Sequence, residues 1–285
     1  MKKCITTIYY LVDNFCKIYH DWERSNILPS NKVRNRVGKL TLSELLTILL
    51  YFYLSPCQDF KNYYLYLLPH KYRGYFKMIS YSRFIQLVPS MLLPLTLLIH
   101  CLKGKQTGTY YIDSTKLAIC HNKRTGNNKV FKKIAKLGKS SYGWFMGFKL
   151  HMIINHRGEI MAVNITKGNR NDVTVAKDLA SGLTGKIYGD KGYISKNLFE
   201  KLYSKGLALF TSIRKDMKNY LFEAEDKINL RKRSFIETVF KVLKCHQSLE
   251  HSRHRSPLNF LVHILACLNA YSLHILPPNP HLIQN

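Results

Sequence analysis

The chain has 285 residues, 46% of them hydrophobic, enough to bury the core of one large domain or two small ones. Lys and Arg exceed Asp and Glu by 27 charges, spread along the chain, so the folded body itself is basic and favours a polyanion, nucleic acid being the commonest. Seven scattered cysteines with no CxxC pair argue against a disulfide framework or a cysteine zinc site and fit reduced thiols in a cytoplasm.

The start, Met1-Lys2-Lys3-Cys4-Ile5, lacks the apolar core of a signal peptide. Ile5, Ile8, Tyr9, Val12, Phe15, Cys16 and Tyr19 recur at helical spacing. Asn26 to Gly38 is a polar, basic break. Thr41 three residues ahead of Glu44 is a capping-box pattern and opens a second helix through Leu45, Ile48, Leu49 and Phe52. A tyrosine-rich segment, Phe60 to Leu68, comes next, and Ser80-Tyr81-Ser82-Arg83-Phe84 begins another helix. The apolar run from Val88 to Leu102 is interrupted by Pro89 and Pro94; it is short for a membrane span and reads as a buried helix with a kinked start. Residues 1–105 are therefore expected to be an all-helical region, either a DNA-binding bundle or a helical cap supporting the next domain.

Leu102 to Gly108 is polar and contains glycine, which marks it as the boundary. Tyr110, Tyr111 and Ile112 then form a strand that runs into Asp113. From 114 to 150 there are nine Lys and Arg residues and no acid. Such a one-signed run suits phosphate contact, with Lys132, Lys133 and Lys136 as its centre. Phe148 to Ile154 and Ile160 to Ile165 read as a hairpin. Asp172 is expected to cap a helix from Val173 to Leu183. Lys186 to Asp190 is a short strand ending in a carboxylate, Ser195 caps a helix from Lys196 to Lys205, and Leu207 to Ile213 is a further strand. A helix from Ser234 to Lys244 and a last one from Leu258 to Leu273 complete the elements, and Pro277-Pro278-Asn279-Pro280 opens a tail, 277–285. The order predicts an α/β fold over 106–276: a mixed sheet flanked by helices, with Asp113 on its first strand and Asp190 at the end of its fourth. If those strands are neighbours, the two carboxylates meet.

Glu237 supplies a third. At about 100° per residue, Arg233, Lys241 and Lys244 fall within about 40° of it, and apolar residues cover the rest of the helix. The pattern predicts a mostly buried helix with one charged stripe on a cleft; the plainer alternative is a pair of i,i+4 ion pairs. Carboxylates converging in a basic protein invite Mg²⁺ or Mn²⁺, and two such ions serve in-line phosphoryl displacement, with Asp113 bridging and Asp190 and Glu237 each completing one shell. Histidine ligation by His246, His251 and His254 is a weaker alternative.

Tyr-Ile-Asp-Ser-Thr at 111–115, Tyr-Gly-Asp-Lys-Gly-Tyr at 188–193 and Arg-x3-Glu-x6-Lys at 233–244 resemble the DDE transposases of bacterial insertion sequences. Leu42-Ser43-Glu44 and the Ser80–Phe84 segment resemble the insertion-sequence 982 family in particular. The resemblance implies an RNase H-like catalytic fold, metal-dependent strand cleavage and transfer, and a homodimer acting on terminal inverted repeats and target DNA in a bacterial cytoplasm, without a membrane. It makes Asp113, Asp190 and Glu237 the metal ligands and matches Arg233 and Lys244 to flanking basic positions. It also shows a departure: Leu230 stands where the related insertion-sequence 4 group has a tyrosine. A catalytically inactive DNA-binding relic, or a structure-specific nuclease of the same fold, are the alternatives.

Overall fold

The computed structural model describes residues 3–26, 38–140, 143–212, 223–250 and 254–276. The chain divides into two compact units, 1–102 with 258–285, and 103–257. The expected tail, most of the Asn26–Gly38 break and His251 lie outside the described residues.

The first unit is helical. Helix α1 (Ile5–Asn26) buries Ile8, Val12, Phe15 and Tyr19 on one face, as their spacing requires. Helix α2 (Leu42–Leu54) starts at the expected capping box: the Glu44 amide donates to the Thr41 hydroxyl at 3.2 Å, and the Thr41 amide to the Glu44 carboxylate at 2.7 Å. The tyrosine-rich segment holds two short helices, α3 (Phe60–Asn62) and α4 (Leu68–Lys71), joined by a π-helical turn. Its aromatic residues are largely core: Tyr63 and Tyr64 are buried, and Phe84 packs on Tyr64. Helix α5 (Tyr81–Leu87), a 3₁₀ turn at Pro89 and helix α6 (Leu92–Cys101) complete the run before the boundary.

The second unit is built on a six-stranded mixed sheet. Its strands are β1 (Thr109–Ala118), β2 (Lys136–Ser140), β3 (Gly143–Asn155), β4 (Ile160–Lys167), β5 (Gly185–Gly189) and β6 (Leu207–Thr211). The order is β2-β3-β1-β5-β6, with β4 also paired to β3. Strands β1 and β5, and β5 and β6, are parallel; β3 is antiparallel to β1, β2 and β4. β2 is not anticipated from the sequence, because Lys136-Leu137-Gly138-Lys139-Ser140 lacks β-branched residues and pairs only across tertiary contacts. Asp190 therefore follows the fifth strand, not the fourth.

Helices α7 (Asp172–Leu179) and α8 (Lys196–Tyr203) follow β4 and β5. Asn171, one residue before the expected Asp172, caps α7; Ser195 caps α8 as expected. They enclose a core of Tyr110, Ile112, Ile187, Tyr193, Leu198 and Leu209. Helix α9 (Ala224–Lys232) lies in a stretch that the sequence leaves without an element. Helix α10 (Ser234–Lys241) carries Glu237 and continues into a π-helical turn at Val242–His246. Helix α11 (Pro257–Ile275), expected to flank the sheet, instead groups with the first unit. There Asn269 donates to the Leu95 carbonyl at 2.9 Å and Tyr53 is hydrogen-bonded to His263. α11 and the run 81–101 are long and apolar enough to cross a membrane; α11 is buried over most of its length and the run is broken by its 3₁₀ turn.

Candidate active site

Asp113 and Asp190 are placed by one register. In the parallel pair β1–β5, Tyr111 lies opposite Tyr188. Each aspartate is two residues further on, Asp113 within β1 and Asp190 one residue past the end of β5, so the alternation that sets the two tyrosines side by side directs both aspartates towards one face. Asp190 stands at the C-terminal end of β5, where parallel strands present their ligand-facing edge. Its carboxylate accepts from the Lys191 amide at 2.7 Å and caps a 3₁₀ turn.

Asp113 is the more enclosed. Its side chain is 22% exposed, and it accepts from the Ser114 amide at 2.7 Å. Burial pushes its carboxyl up to about 6; the Ser114 amide and Arg233 oppose that shift, while the charges of Asp190 and Glu237 add to it. Asp113 thus feels the charge of both other carboxylates.

Helix α10 faces this edge. The Arg233 guanidinium is 2.8 Å from Glu237 and 3.5 Å from Asp113, and its side chain is only 16% exposed. The i,i+4 pair expected on the helix is present, but it reaches across to the strand, which a simple surface pair does not. The helix itself has one buried face, Ile236, Val239 and Phe240, whereas Phe235 and Thr238 are exposed; it is amphipathic, not nearly all buried. Lys241 is exposed. Lys244 lies beyond the helix proper, where the π turn retards the angular phase, and its amine is bonded to Glu250 at 2.6 Å.

Behind the site, Asp226 of α9 is buried and accepts from Lys186 at 2.8 Å and from the Tyr188 hydroxyl at 2.7 Å. Burial pushes its carboxyl up, yet those two hydrogen bonds outweigh it and hold the group below the usual carboxylate range. This latch ties the helix preceding Glu237 to the strand preceding Asp190. The sequence gives no sign of it, since Tyr188 and Asp226 are far apart along the chain. On the opposite face of the sheet, His151 is buried against Thr166 and 3.6 Å from Asp172; burial lowers its pKa to about 4, so it is neutral near pH 7.

The acid-free segment divides. Phe131 packs on Phe148, which shares a face with Met152 and so with Asp113, leaving Lys132 and Lys133 exposed beside that face. Lys136 lies opposite Gly147 and lines a polar cavity with Thr166, Lys167 and Arg170, on the other face. Arg124, Lys129 and Arg255 gather around a further cavity. Reversing Lys132 and Lys133 to Glu is expected to weaken DNA binding roughly tenfold or more and to flatten the salt slope by about 2, since each lost phosphate contact removes about 0.9. Fluorescence anisotropy across a salt series measures both; an unchanged slope removes these lysines from the interface.

In donor type the site suits a hard divalent cation, because it offers carboxylate oxygens only. Among the described residues, however, no three His, Cys, Asp or Glu side chains are gathered closely enough to hold one, and Arg233 is the cation that bridges Asp113 and Glu237. Binding a metal through Glu237 therefore requires Arg233 to release it. His246 and His254 form no such group either.

The sheet and its paired carboxylates define a mixed α/β fold with an acidic edge. Residues 103–257 match the family described as Transposase DDE domain, more than half of the chain. The chain belongs to that family and is an enzyme of the transposase type, acting in DNA transposition as part of a mobile element. It is similar in fold to a solved structure, the piggyBac transposase in a synaptic complex with hairpin DNA, with a TM-score of 0.51 and 11% identity over 95% of this chain and 72% of that one. A comparison with curated proteins gives no match.

Proposed function

We propose that the second unit is an RNase H-like catalytic domain that cleaves and joins DNA strands at the ends of an insertion sequence of the 982 family. The observation that carries this is the parallel register of Tyr111 with Tyr188, each two residues before an aspartate, together with Arg233 reaching from Glu237 to Asp113. Once Arg233 has released them, Asp113, Asp190 and Glu237 would be the residues to hold divalent metal, Mg²⁺ or Mn²⁺ and two ions in all, which would supply activation of the attacking oxygen and stabilisation of the leaving one. Before that, the chain's own groups prepare the site. The β1–β5 pairing fixes the two aspartates, the Asp226 latch keeps α9 on β5, and Arg233 offsets the charge of Asp113 and Glu237.

Once Arg233 leaves the carboxylates, its fork is free to hold a phosphate by two hydrogen bonds. Lys241, Lys132 and Lys133 then contribute positive charge along the backbone. Lys244 joins them only by releasing Glu250. The protein acts as a homodimer on paired ends, one catalytic domain per end, in the bacterial cytoplasm. The first unit, helical with a tyrosine-rich core, serves as its DNA-binding or accessory region. Purified protein with Mg²⁺ or Mn²⁺ is expected to nick and join duplex DNA carrying the inverted repeats that flank its own gene, and to do neither in EDTA. Hydrolysis without joining would instead make it a nuclease of the same fold.

A further inference from the structure

Strand β3 is longer than its partner β1. The last β1 pair is Ala118 with Gly147, and β3 begins at Gly143. Beyond that point β2 and β3 run on as a two-stranded ribbon, with Leu137 opposite Met146 and Lys139 opposite Trp144. Opposed residues share a face, so Leu137, Lys139 and Trp144 stand together. Trp144 is 61% exposed and Leu137 50%. The Lys139 ammonium lies 5.9 Å from the indole centroid, and the Trp144 carbonyl accepts from the Asn122 side chain at 2.7 Å. A large aromatic ring is thus held in place yet left in water, inside a segment with nine basic residues and no acid.

The register also says where this ring stands. Asp113 lies opposite Met152, and Met152, Leu150, Phe148, Met146 and Trp144 alternate onto one face of β3. Trp144 is therefore on the Asp113 face. Eight residues of strand span about 27 Å at about 3.4 Å each. Duplex DNA rises about 3.4 Å per base pair, so that length equals about eight base pairs.

We infer that the β2–β3 ribbon is a second DNA-contacting surface, in which Trp144 packs on the sugar–phosphate backbone and Lys139 pairs with a phosphate about eight base pairs from the reacting bond. The inference rests on the transposase reading of the Asp113 edge. Its occupant is duplex DNA: the surroundings are one-signed and positive, and a two-stranded ribbon fits a groove or backbone.

The test measures binding of the full chain, in metal-free buffer, to duplexes carrying one end of the flanking inverted repeat, with each arm trimmed separately. Wild-type affinity should rise about tenfold, the worth of one contact of about 1.4 kcal/mol, when one arm grows past about eight base pairs. Trp144→Ala should match wild type on shorter arms and lack the rise. In a Trp22→Phe background Trp144 is the remaining tryptophan, and its emission should change with long arms alone. A rise that survives in Trp144→Ala, or a loss equal at every length, overturns the ribbon contact while leaving the transposase reading intact. If neither arm length binds, or the gene has no flanking repeats, that reading fails and the ribbon contact fails with it.

Discussion

Asp113→Asn is expected to lower strand cleavage by about a thousandfold or more while DNA binding survives, because a neutral amide is a poor ligand for a hard cation and charge stabilisation at the reacting phosphate is worth several kcal/mol. A second readout needs no activity. The Asp113 carboxyl is raised from 3.8 to about 6 in the folded chain, chiefly by burial. Between those values the folded chain holds a proton that the unfolded chain has released. Metal-free protein therefore loses stability as pH rises from about 4 to about 6 and levels off above it. Asp113→Asn should remove this descent and melt at higher temperature than wild type at pH 7, with the advantage fading towards pH 4. Thermal melts at both pH values with EDTA decide it. A variant no more stable than wild type at pH 7 would show that burial of this charge costs nothing. Full cleavage activity would remove Asp113 from the site.

The second large effect belongs to Arg233. If it merely paired with Glu237 on a helix surface, Arg233→Ala would cost a few tenths of a kcal/mol and leave cleavage intact. Its reach to Asp113 and its low exposure argue otherwise. Arg233→Ala is expected to fold, bind DNA and cleave about a hundredfold more slowly, since one preorganised donor at a reacting phosphate is worth that much. Arg233→Lys should recover only part, because a point charge replaces a fork. Metal affinity adds a contrast. The guanidinium now competes for Asp113 and Glu237, so Arg233→Ala should bind Mn²⁺ more tightly than wild type in the absence of DNA, as paramagnetic resonance titration can measure. Near-normal cleavage by the alanine variant would return Arg233 to a structural role.

Much of the site is legible along the chain. Asp113 is conspicuous because a carboxylate ends a run of β-formers, and Asp190 because a short strand stops on it. Glu237 is conspicuous through the Arg-x3-Glu spacing, which sets the i,i+4 pair. The apolar periodicity of α1 and the capping box of α2 are equally local, so they are visible without any partner.

What the sequence cannot express is pairing between distant segments. Strand β2 has weak intrinsic preference for a strand and exists because β3 offers an edge to it. The Asp226 latch joins residues whose separation carries no periodic signal. The fate of Lys244 is decided by a π turn that shifts its angular position and by Glu250, which takes its charge. The division of the lysine run is decided the same way: the Phe131–Phe148 contact and the alternation of β3 put Lys132 and Lys133 by the Asp113 face and Lys136 on the other. By itself the sequence determined most of the elements, the charge and the three acidic residues, since each rests on side chains within a few positions of one another. Which carboxylates share an edge, which cation bridges them and which aromatic ring is left exposed were settled only by strand register and helix packing, because those depend on contacts between residues that the chain brings together from far apart.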